Sequence, residues 1–118
     1  MIENFIALRA GAKPAPQLIR IDTAAPDFNA AVRRVIRCDL YEVVRIQCGL
    51  LPPGVILLVD ESGLYKEPLR LNKFASVFYG EPIFGDVLLA AEGYRNGEPD
   101  IVGLDVYQLQ WLRHAFRI

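Results

Sequence analysis

The chain has 118 residues, enough for one domain with a single core. Its hydrophobic fraction of 53% excludes a disordered chain, and thirteen basic against fourteen acidic side chains give a net charge of -1, which removes bulk charge as a reason for duplex nucleic-acid binding. The clean apolar run Val55–Val59 is far too short for a membrane span, and the start through Pro16 carries Glu3 and no long apolar segment behind a basic start, so a cytoplasmic protein without a membrane partner is expected.

In chain order, Asn4–Arg9 reads as a short apolar strand, broken by Gly11–Pro16 with its two prolines. Gln17–Ile21 alternates polar and apolar residues and should pair with it as a hairpin. Thr23–Pro26 then starts a helix in which Phe28, Ala31, Val32, Val35 and Ile36 share one face. The other face presents Asn29, Arg33, Arg34 and Arg37, a charge cluster read as a solvated face ahead of an anion contact. Tyr41–Cys48 alternates as a strand with one wetter face, the side of Arg45. Pro52, Pro53 and Gly54 make a stiff loop.

Val55–Asp60 is aliphatic throughout and fits a central strand covered on both faces. Glu61-Ser62-Gly63 is the turn after it, with Gly63 able to take positive φ. Leu64–Phe84 is irregular, with one or two helical turns where Leu71, Phe74, Ala75 and Phe78 fall at helical spacing. Asp86–Ala91 is a further strand, and Asn96-Gly97 signals a tight turn. The last helix is the best signed. Asp105 and Gln108 form a capping box, Leu104 and Leu109 a hydrophobic staple, and Leu109, Leu112 and Phe116 a buried stripe that leaves Trp111 at its rim. The expected order is β-β-α-β-β-(short helix)-β-α: a single α+β domain, residues 1–118, whose mostly antiparallel sheet carries a helix after the first hairpin and a C-terminal helix.

The stretch Val59–Ala91 places a strand, an Asp-Glu-Ser-Gly turn, Leu69 to Asn72, a Gly80–Asp86 loop and a closing strand in succession. That order resembles a small domain of unknown function found in phages, plasmids and gut bacteria. Ile21-Asp22 before the first helix and the capped last helix extend the resemblance from about Ile21 to the C-terminus. One departure is Cys38-Asp39, where a glycine commonly closes the first helix in that family. The resemblance implies the architecture and a mobile-element setting, and no chemistry.

The residues offer little for catalysis. Ser62, Ser76 and Thr23 lie in no nucleophile elbow, His114 sits within a helix, and Asp60-Glu61 belongs to a turn. Cys38 and Cys48, ten apart, have no metal-ligand spacing and read as reduced thiols. No cofactor and no metal are expected, and an enzyme is the minority reading. A binding role fits better. Asn72, Arg70, Lys73 and Tyr79 cluster in one irregular connection, and Arg45 is a candidate to point the same way. Fixed cations and aromatic faces are how proteins hold nucleotides. For Asn72 the competing reading is local hydrogen bonding that orders the connection. The expected function is a non-catalytic phage or mobile-element accessory protein, with a counter-defence role, that sequesters a small anionic nucleotide-like ligand. The alternative is a module that binds and inhibits a host protein through Tyr94, Trp111, Phe116 and Ile118. Edge strands and a mean hydropathy of +0.22 add the expectation of a homo-oligomer, a dimer first.

Overall fold

A computed structural model describes residues 1–11, 15–46 and 49–118. Part of the Gly11–Pro16 break (residues 12–14) and the end of the Tyr41–Cys48 strand (Gln47, Cys48) lie outside the described residues. Six strands form one antiparallel sheet: β1 (Ile2–Leu8), β2 (Gln17–Asp22), β3 (Tyr41–Arg45), β4 (Val55–Asp60), β5 (Val87–Arg95) and β6 (Glu98–Val102). The main order is β2-β1-β5-β4-β3, and β6 pairs with the far half of β5. Among the described residues the α-helices are α1 (Phe28–Ile36), α2 (Lys73–Tyr79) and α3 (Val106–Phe116). The α+β class with a C-terminal helix is as expected.

The first hairpin pairs Ile2 with Asp22 through to Ala7 with Gln17. All six residues of β4 are buried, because helices cover both faces of the sheet. On one face Phe5, Ile56, Leu58 and Leu88 pack with Val32 and Ile36 of α1. On the other, Ile6, Leu57, Val59 and Leu89 pack with Ala75 of α2 and Leu112 of α3. Edge-on contacts of Phe74 and Phe78 with Phe116, centroids 5.3 and 6.0 Å apart, join the last two helices. The α3 capping box forms in both directions: Asp105 accepts from the Gln108 N–H at 2.7 Å, and Gln108 accepts from the Asp105 N–H at 2.9 Å.

Three expectations need correction. The strand placed at Asp86–Ala91 runs on to Arg95, and a sixth strand follows. Asn96 (φ 51°) and Gly97 (φ 79°) turn one into the other, a two-residue hairpin with both central residues left-handed. The polar sequence beyond Glu92 hid these strands because that hairpin is solvated. The second concerns Gly63, which does not use the positive φ open to it. It is small because a Cβ there would stand 2.3 Å from the Phe84 carbonyl oxygen. The third is Arg9, which leaves β1 and turns toward the start of β5.

Candidate functional site

The end of the sheet where β1 and β4 finish and β5 begins gathers most of the buried charge. Asp86, one residue before β5, is 2% exposed. Its Oδ1 accepts the Ala10 N–H at 2.9 Å, and its Oδ2 accepts Arg9 Nη1 at 3.1 Å, with Arg37 Nε 3.7 Å away. Asp60, the last residue of β4, is 8% exposed. It accepts the Ser62 N–H at 2.9 Å through Oδ1 and Lys66 Nζ at 2.6 Å through Oδ2. Burying a carboxylate is costly unless it is paired and hydrogen-bonded. Here each buried carboxylate is engaged by a backbone N–H and by a cation, and so orders a basic side chain. The bond to Asp60 pushes the Lys66 ammonium above its ordinary range. Burial, and then the nearby Asp60, push the Cys38 thiol up.

Asp60 and Asp86 line a hollow of about 50 Å³ with Arg37, Lys66 and Arg70 on its walls. Arg70 Nη2 donates to the Ala10 carbonyl at 3.2 Å, and the Arg70 carbonyl accepts the Gly85 N–H at 2.8 Å, which docks the 66–70 segment onto the loop before β5. Among the described residues Arg70 has no carboxylate partner. Its guanidinium therefore keeps donors for an anion.

A second hollow, of about 260 Å³, backs onto the first. Tyr65, Tyr79, Pro82 and Phe84 give it apolar and aromatic walls, and Glu42 and Glu61 give it negative charge. Asp60 lines both hollows. Gly63 of the first hollow lies against the backbone of Phe84, which lines the second. Tyr65 is 84% exposed and directly precedes Lys66 of the first hollow.

The five candidate contacts read from the sequence do not share one cleft. Arg70 lines the cationic hollow and Tyr79 the aromatic one. Arg45 lies at the opposite end of β3, paired with Ile56, and is held by Glu92 beside a different hollow. Lys73 is exposed on the first turn of α2 and lines neither of the two. Asn72 is wholly buried. Its Nδ2 donates to the Leu8 and Gly85 carbonyls at 2.8 and 3.0 Å, and its Oδ1 accepts the Ala75 N–H at 3.1 Å. Asn72 caps α2 and ties it to the sheet, so the ordering role is the one it fills, and it is withdrawn as a ligand contact.

Other candidates also settle into structural roles. Ser76 Oγ donates to the Asn72 carbonyl at 2.6 Å and accepts the Ile83 N–H at 2.8 Å. Thr23 donates to Glu3. His114 is exposed on α3. Among the described residues no group of three His, Cys, Asp or Glu is placed to hold a metal, and no helix is long and apolar enough to cross a membrane.

Sequence reasoning missed Arg9, Lys66, Tyr65 and Asp86 and ranked Arg37 as solvated surface. The usable signal was Asp86 itself. A carboxylate next to a fully apolar strand must find partners, and Arg9 and Arg37 supply them.

No family model matches the chain, and no curated protein matches it. Among solved structures it is similar to the crystal structure of small RNA methyltransferase HEN1, at 17% identity and a TM-score of 0.57 over 92% of this chain. The chain spans 15% of the length of that structure, and at this identity the likeness shows a shared fold alone.

Proposed function

We propose that the protein binds a small anionic, nucleotide-like ligand in the cationic hollow and holds it without transforming it. The observation that carries this reading is the convergence of Arg37, Lys66 and Arg70 on one hollow, with two of the three steadied by buried carboxylates. Preset cationic donors are what stoichiometric capture of a phosphate requires. The mobile-element resemblance supports the setting: an accessory protein acting in the cytoplasm that sequesters a nucleotide-derived signal of its host, a counter-defence role. Calorimetry against inorganic phosphate and a panel of nucleoside 5′-monophosphates, cyclic and ADP-ribose-type nucleotides tests it. Binding is expected, with the ligand recovered intact by chromatography and affinity lost in the Lys66→Ala/Arg70→Ala double variant. Absence of heat with every member, or unchanged affinity in that variant, overturns it.

A second reading, a protein-binding module, is favoured by the outer face of α3. Tyr107 and Trp111 are one turn apart and 65% and 40% exposed. Aromatic side chains of this kind anchor interfaces, with a host protein or with a second copy in a dimer. Light scattering that gives a mass of two chains, and one chain for Trp111→Glu, supports the dimer.

A further inference from the structure

We infer that the ligand is a nucleotide whose negative charge lies at one end, bound astride the Tyr65–Lys66 rim. Its phosphate occupies the cationic hollow and its ring the aromatic one. This rests on the reading of the first hollow as an anion site.

Size comes first. The cationic hollow is the smaller of the two, about 50 Å³ against about 260 Å³, and suits a compact group such as a phosphoryl. The remainder of any nucleotide must leave across the rim. Across that rim is a hollow several times larger, which shares Asp60 with the first and meets it where Gly63 lies against Phe84. Consecutive residues divide the task, since Lys66 lines the first hollow and Tyr65 the second. Tyr65 presents an almost wholly exposed ring, and Tyr79 adds a second, 43% exposed. Base stacking on such rings is the sequence-tolerant way to hold a nucleobase.

Charge then sets the polarity. Arg37, Lys66 and Arg70 line the first hollow. The lining of the second includes Glu42, Glu61 and Asp60 and no lysine or arginine. A second phosphate would meet repulsion there, whereas the exocyclic amino group of a base would meet acceptors. A monophosphate carrying a base therefore fits the pair of hollows, and a ligand charged at both ends does not.

Calorimetry with inorganic phosphate, adenosine, the four common nucleoside 5′-monophosphates and adenosine 3′,5′-bisphosphate separates the possibilities. At least one monophosphate is expected to bind about tenfold or more tighter than inorganic phosphate, the gain a stacked base brings. The bisphosphate should bind no tighter than adenosine 5′-monophosphate, because its second phosphate finds no lysine or arginine in the lining of the second hollow. Tyr65→Ala should remove most of the gain and leave phosphate binding unchanged, whereas Tyr65→Phe should retain it. Tyr65 is exposed, so neither change threatens the fold. If phosphate and the monophosphates bind equally and Tyr65→Ala changes nothing, the inference falls while the anion site stands. If neither phosphate nor any nucleotide binds, the anion site falls with it.

Discussion

The two ends of β5 treat charge in opposite ways. At the Arg95 end, Arg45 meets Glu92, and Arg95 meets Glu3 and Asp100, in pairs whose members are partly or largely exposed. Both of those arginines are matched by carboxylates. At the Val87 end, Asp86 and Asp60 are buried and answer to Arg9, Arg37 and Lys66, with Arg70 beside them and no carboxylate of its own among the described residues. Exposed pairs contribute little to stability, whereas buried ones are expensive to break. One strand thus has a solvated end that tolerates change and an end where charge is held in place.

The sharpest break between the two ends is expected from their carboxylates. Asp86→Ala strands the Ala10 N–H and leaves Arg9, 24% exposed, with the Gln17 and Val35 oxygens but no carboxylate. It should cost about 3 kcal/mol. Glu92→Ala at the far end should cost less than about 1 kcal/mol. Urea unfolding of both variants measures this, and equal losses would erase the contrast.

Asn72→Ala comes next. It removes a buried cap that also holds the Leu8 and Gly85 carbonyls, and about 2 kcal/mol should be lost. A variant as stable as the parent, with weakened ligand binding, would return Asn72 to the site.

The glycines give a smaller test. Gly63→Ala drives a methyl into the Phe84 carbonyl oxygen, a backbone atom with little room to move, and should cost about 2 kcal/mol. Gly97→Ala meets nothing within 4 Å and is disfavoured only by its φ of 79°, so about 1 kcal/mol is expected. Thermal unfolding ranks the two, and the reverse order would show that the Phe84 backbone yields.

The smallest effect is the pH dependence. Burial raises the Cys38 thiol and the Tyr41 hydroxyl, and the bond to Asp60 raises Lys66. Each group holds its proton more tightly folded than unfolded. Its contribution is therefore complete below its unfolded pKa and is lost as pH rises through the folded one. Stability should fall from about pH 9 upward, the thiol first, and Cys38→Ser should delay the onset. An unfolding midpoint that stays level from about pH 8 to pH 10 would contradict this.

The local elements were legible in the residues. Periodicity marked α1 through Phe28, Val32 and Ile36, aliphatic continuity marked β4, and Asp105 with Gln108 marked the start of α3. These signals are short-range, because caps and amphipathic faces act over one or two turns. The strand order β2-β1-β5-β4-β3, and with it the site, was set by the tertiary structure. Arg9 meets Asp86 across 77 positions of the chain, and Arg37, Lys66 and Arg70 converge only because α1 and the 66–70 segment are packed at one end of the same sheet. The residues nearest in sequence misled for the same reason. Arg70, Asn72 and Lys73 are neighbours along the chain, but the fold turns one into the cationic hollow, one into the core and one toward solvent. Side-chain direction changes with each residue in an irregular connection, so adjacency there carries no information about a shared cleft.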